Sequence, residues 1–204
     1  MKRIRFQDIM SIFKNVLLGN KKNIFLICLL SYFILYVLSI GSIKIANLIF
    51  SLFIIVLTIV IDCGVIVSID KCSKEDIHLS FKDIFVFSKS KLKLGAFWYI
   101  LIAFLNSMIG VVITALPFKF PVTALILLGL LINAIITPLM IISISGHTIV
   151  NKKNYIYVIF AMIFILWVNL LPFVGEVLNF LIKPFVILYL ISLSEAEEKA
   201  INNF

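Results

Sequence analysis

Long apolar runs alternate with short polar segments along this chain, and six of the runs are of membrane-spanning length. A bilayer core of about 30 Å needs about 20 helical residues to cross it, within a range of roughly 17–25. The runs that meet this requirement are 23–40, 45–69, 95–116, 122–142, 155–171 and 174–193. Ile and Val are frequent in them, but a barrel strand is a short segment alternating apolar and polar residues, and that alternation is absent. The pattern predicts transmembrane helices. Connections after the first, third and fifth runs are short (41–44, 117–121 and 172–173), so the six helices pair into three hairpins.

Two segments outside the runs carry a helical period of their own. In the first, Phe6, Ile9, Met10, Phe13, Val16 and Leu17 share one face, with Arg3, Gln7, Lys14 and Lys21 largely elsewhere. In the second, Ile77, Phe81, Ile84 and Phe85 form the apolar face and Lys82, Lys89 and Lys93 are polar. Ser80 followed by Asp83 marks a helix start there. Both read as amphipathic helices lying along the inner leaflet. They share the pattern Phe-x-Asp-Ile, at Phe6–Ile9 and Phe81–Ile84, with Lys14 and Lys89 each eight residues after the Phe. The expected organisation is one all-α membrane domain over 1–204. It comprises an interfacial helix at 1–22, a hairpin at 23–69, an interfacial helix at 73–94, hairpins at 95–150 and 155–193, and a tail at 194–204.

Charge orients this arrangement. Of the 18 basic residues, 15 fall on one side: Lys2, Arg3, Arg5, Lys14, Lys21 and Lys22 before the first run; Lys71, Lys74, Lys82, Lys89, Lys91 and Lys93 between the second and third; Lys152 and Lys153 before the fifth; and Lys199 in the tail. Only Lys44 and Lys119 fall on the other side, and Lys183 lies within a run. The positive-inside bias then predicts a multi-pass protein of the cell membrane with both termini in the cytoplasm. Trp98, Tyr99, Tyr155 and Tyr157 fit a cytoplasmic aromatic belt, and Trp167 an outer one.

Composition agrees and removes several classes. Hydrophobic residues make up 63% of the chain, only 14% are charged, and the mean hydropathy is +1.20; soluble domains hold roughly 45–50% apolar residues. The net charge of +8 comes from short segments flanking the runs. That placement implies anionic lipid headgroups as partners and no nucleic acid. Cys28, Cys63 and Cys72 form neither a disulfide framework nor a metal-ligand spacing, and read as reduced packing residues. The first run lacks a small-x-small cleavage site and is expected to be kept. The wealth of Ile, Lys, Asn and Phe fits an AT-rich bacterial genome.

Chemistry is sparse. There is no nucleophile elbow, phosphate loop, dinucleotide fingerprint or paired His-Glu metalloprotease motif. His78 and His147 are far apart in sequence and have no evident carboxylate or Cys partner, so no metal or cofactor site, and no enzyme, is expected. The candidate residues are the intramembrane charges Asp62 and Lys183, because an unpaired charge there costs on the order of 3 kcal/mol even on the most lenient scale. Asp62 lies seven residues from the cytoplasmic end of its run and Lys183, beside Pro184, ten from its own. At about 1.5 Å per residue, depths of ~10 and ~15 Å in helices of the same direction allow a pair. That pair reads as an ion- or proton-responsive device, as part of a polar substrate path, or as a packing pair; a snorkelling Lys183 is the fourth reading. Asn106, Ser107, Asn133, Thr137 and Asn169 are expected to bond across helices.

The stretch 64–104 joins a Gly-containing apolar end, a Lys74-Glu75 turn, Phe81-Lys82-Asp83-Ile84-Phe85, basic residues and another run; Pro172-Phe173-Val174-Gly175 leads through Pro184 to Tyr189 and an acidic tail. In this architecture the chain resembles bacterial six-span families of unknown function, including the membrane domain that precedes some glycerophosphodiester phosphodiesterases. The phosphodiesterase domain itself is missing, so the resemblance implies the fold and no catalytic role. The expected function is that of a non-enzymatic membrane protein acting through lipid or membrane-protein contacts. The alternative is a small transporter or the membrane subunit of one.

Overall fold

The computed structural model describes Lys14, residues 22–45, 48–74, 79–115, 122–147 and 174–202, and positions 155, 156, 158, 159, 162 and 163. Among them the protein is all-helical, with five long helices: α1 (Lys22–Ile45), α2 (Leu48–Lys74), α3 (Phe81–Ala115), α4 (Val122–Ser145) and α5 (Val174–Asn202). Three stretches are long and apolar enough to cross a membrane, Leu48–Lys74, Phe81–Val111 and Ile126–Ser145, and Leu26–Ile40 is a shorter apolar helix. All of the expected interfacial helix at 1–22 except Lys14 and Lys22, and most of the run at 155–171, lie outside the described residues.

The outward faces carry what a lipid-facing surface needs. On α1, Leu26, Leu30, Phe33, Val37 and Ile40 are exposed at spacings of three and four; on α3, Phe97, Ile100, Phe104, Met108 and Val111 repeat the pattern. Contiguous apolar stripes of this size mark a membrane or a partner rather than water.

At the centre stands α2, which packs against all four of the other long helices. Every residue from Ile61 to Asp70 is buried, whereas Leu48, Ile49, Leu52, Phe53, Ile55 and Val56 at its other end are exposed. The helix therefore passes from an exposed apolar end into the middle of the bundle. Its closest neighbour is α3, and glycine makes that approach. A Cβ on Gly64 would fall 2.5 Å from Ile84 Cγ2 and 2.9 Å from the Ile84 carbonyl carbon, and closer still to the carbonyl oxygen. A Cβ on Gly95 would collide with Cys63 Sγ.

Helix boundaries differ from the sequence reading in three places. Residues 41–44, expected as a loop, extend α1; the segment holds no proline, and a single glycine lowers helix propensity by only about 1 kcal/mol. The segment expected as a separate interfacial helix at 73–94 is fused to the following run in the 35-residue α3. No proline intervenes, and the helix continues through Gly95 where it lies close against Cys63. At about 1.5 Å per residue α3 is ~52 Å long, so its Lys-rich first half projects beyond a ~30 Å core. Finally, α5 runs nine residues past Leu193 through the expected tail, since Ser194–Ala200 contains no helix breaker.

The start of α3 is capped as its sequence predicts. Ser80 donates from both its backbone N–H and its hydroxyl to Asp83 Oδ2, each at 2.7 Å, and Asp83 N–H donates to the Ser80 carbonyl at 3.0 Å. The Asp83 carboxylate thus supplies one half of a capping box by accepting from the Ser80 N–H, while the Asp83 N–H closes a turn onto the Ser80 carbonyl and not onto its hydroxyl. Replacing Asp83 with Ala should speed amide exchange in the first turn of α3 while leaving the α2 centre protected; exchange read by mass spectrometry checks this, and unchanged protection at residues 80–84 would contradict it.

Candidate functional site

Among the described residues, two charged clusters sit inside the bundle, one midway along the helices and one where helix ends meet. The first is built on Asp62, whose side chain is 1% exposed, in the buried half of α2. Lys183 of α5 places its Nζ 2.7 Å from Asp62 Oδ1 and 2.9 Å from Oδ2, a two-oxygen ion pair. The Tyr99 hydroxyl, from α3, donates a short hydrogen bond to Asp62 Oδ2. From α1, the Tyr32 ring lies under Lys183, 4.8 Å from Nζ to ring centroid, within cation–π range. Four helices thus converge on one carboxylate.

A cavity of about 250 Å³ opens beside this pair. Asp62, Tyr99, Lys183, Asn133 and Thr137 supply its polar wall, with Ile66, Met140 and Met162 among its apolar residues. Lys183 retains 29% side-chain exposure, so the pair is reached from the lysine side. Both prolines inside the long helices adjoin this wall: Pro138 follows Thr137 in α4, and Pro184 follows Lys183 in α5. A proline inside a helix frees the carbonyl four residues earlier, which non-helical polar partners or a cavity must satisfy.

The second cluster joins the ends of α2, α4 and α5. Gly146, at φ 86°, ends α4 in a left-handed turn, and the His147 N–H donates to the Ile142 carbonyl at 3.2 Å. This six-to-one closure is a Schellman cap, and it swings the His147 ring inward until its side chain is 2% exposed. His147 Nε2 lies 2.7 Å from Asp70 Oδ1, and Nδ1 lies 3.0 Å from Glu198 Oε1. Lys74 Nζ reaches Asp70 Oδ1 at 2.9 Å. The Ser73 hydroxyl makes a short hydrogen bond to Glu195 Oε1 and lies 2.6 Å from the Asp70 carbonyl. The hydrogen bond to Asp70 holds His147 above its ordinary imidazole range; burial opposes this, and Glu198 adds to it.

No family model, curated protein or solved structure matches this chain.

The structure thus brings Asp62 and Lys183 together. It departs from the sequence reading at three other points. Tyr99, expected in the aromatic belt, turns inward onto Asp62 because its face of α3 is the one packed on α2. Asn133 and Ser107 bond within their own helices, Nδ2 to the Gly129 carbonyl at 2.9 Å and Oγ to the Ala103 carbonyl at 2.8 Å, so neither of those bonds crosses between helices. Asn133 and Thr137 line the cavity instead. His147, read as partnerless, meets two carboxylates that lie 77 and 51 positions away. One signal for this cluster was present: Asp70, His147 and Glu195 each follow the C-terminal end of an even-numbered apolar run of the sequence. His78 and Asn169 lie outside the described residues. Cys28, Cys63 and Cys72 are buried and form no disulfide.

Proposed function

We propose that this chain is a six-span membrane protein with both termini in the cytoplasm, acting by binding rather than by bond-making chemistry. Its cavity takes a small polar or zwitterionic solute, as in a small transporter or a transporter's membrane subunit. The observation that carries this reading is the 250 Å³ space walled by Asp62, Lys183, Tyr99, Asn133 and Thr137 within an apolar bundle. Ligand sites commonly span about 300–1,000 Å³ with a few convergent polar groups, so this one suits a solute at the small end. A proline inside a helix beside a buried charge leaves a backbone carbonyl without its helical donor, and transporters present such carbonyls to a substrate. A zwitterion would exchange its own two charges for the Asp62–Lys183 contact, leaving neither side chain unpaired.

The second reading is a protein that works through lipid or membrane-protein contacts, with Asp62–Lys183 as an internal pin. The observation favouring it is that the pair is already closed through two oxygens and braced by Tyr99. Native mass spectrometry of the full-length protein, purified in mild detergent from its own membrane, separates the two. A small solute that stays bound to the wild type, and is lost from a folded Asp62→Asn/Lys183→Met variant, supports the cavity reading. A stoichiometric protein partner with no solute supports the contact reading.

A further inference from the structure

We infer that the cluster at the ends of α2, α4 and α5 is a binding site for a first-row divalent transition-metal ion of the Zn²⁺ class, with His147, Asp70 and Glu195 as protein ligands. The three residues are buried, come from three different elements, and each offers one ligand atom, all within 4.8 Å of one another. Ligands at about 2.0–2.2 Å from a tetrahedral zinc lie about 3.4 Å from each other. His147 Nε2 and Asp70 Oδ1, now 2.7 Å apart, would need to part by less than ~1 Å to admit the ion.

The surroundings resemble an outer shell of the kind metal sites require. Glu198 sits on Nδ1 of His147, a position that fixes the ring and directs Nε2 toward Asp70. Ser73 orients the Glu195 carboxylate. Lys74 Nζ lies on Asp70 Oδ1, the oxygen that faces His147; its side chain is half exposed and can withdraw to solvent as the ion takes its place. The Schellman turn at Gly146 supplies the backbone rigidity that holds His147 in place.

One imidazole nitrogen and two carboxylate oxygens favour zinc-like ions over Mg²⁺ and Ca²⁺, which prefer all-oxygen shells. The ion would clamp three helix ends on the membrane face that the basic residues assign to the cytoplasm. The site is separate from the cavity: Asp70 lies eight residues along α2 from Asp62, about 12 Å.

Equilibrium dialysis of chelator-stripped, full-length protein in detergent against micromolar ZnCl₂, with bound metal counted by plasma mass spectrometry, tests this. The purification tag must carry no histidines. About one Zn²⁺ per chain is expected, with affinity lowered at least ~10-fold in His147→Gln and Glu195→Gln, and about 10-fold in Glu198→Gln. Circular dichroism and gel filtration verify that each variant is folded; Glu195→Gln and Glu198→Gln keep the test open should the histidine variant misfold. Absence of stoichiometric zinc on the wild type, or zinc held equally by the folded Glu195→Gln variant, overturns the proposal. In that event the cluster is an imidazolium bridging carboxylates and nothing more.

Discussion

Replacing Lys183 with Met should destabilise the protein by about 3–5 kcal/mol, the usual loss when one member of a buried ion pair is removed. The reason lies in the partner left behind: Asp62 is 1% exposed and would lose the cation that compensates its charge. Replacing Asp62 with Asn should cost less, because Lys183 keeps 29% of its side chain exposed and its flexible stem lets the ammonium seek a polar surface. The double variant Asp62→Asn/Lys183→Met should recover most of the loss, since no uncompensated charge remains. Unfolding in mixed detergent micelles, followed by circular dichroism, measures all three. Equal losses in the two single variants, or a double variant as unstable as Lys183→Met, would show that the pair does not couple as its geometry requires. The double variant is also the one that separates stability from binding: a protein that refolds but no longer holds a solute assigns the two charges to function as well as to packing.

The second large effect is expected at the α2–α3 crossing. Gly64→Ala should cost about 3 kcal/mol, at the upper end of the range for overpacking a close-packed core. The added methyl meets the backbone carbonyl of Ile84 as well as its Cγ2, and a backbone carbonyl in mid-helix cannot step aside. Gly95→Ala should cost about 1–2 kcal/mol, because its obstacle is Cys63 Sγ, a side-chain atom. The two sites should therefore respond differently to a second substitution. Cys63→Ala should restore much of the stability lost in Gly95→Ala, while Ile84→Ala should restore little of that lost in Gly64→Ala. A double-mutant cycle of unfolding free energies decides it, and equal rescue at both sites would mean that the helices slide apart instead of holding their spacing.

These two sites also show where sequence reasoning reaches and where it stops. The Asp62–Lys183 contact was legible because depth along a helix is a local quantity. Each residue advances the chain by a nearly constant rise, so two charges at compatible depths in helices of like direction are candidates for pairing before any packing is known. The cap at Ser80 and Asp83 was legible for the same reason, as its members are three residues apart. Gly64 was visible as a residue, but its task depends on which face of α2 meets α3.

What the amino-acid order determined by itself is a helical chain with stretches long and apolar enough to cross a membrane: apolar length and the position of each charge along its helix follow from covalent spacing and from the free energy of placing groups in hydrocarbon. Only the tertiary structure decided the rotation of each helix about its own axis and the trajectory of each helix end. That rotation turned Tyr99 from a membrane interface onto Asp62, and set Asn133 and Thr137 against a cavity. The helix ends brought His147, Asp70, Glu195 and Glu198 together across intervals of up to 128 positions. Such meetings arise from side chains interlocking between helices, and no period within one segment records them.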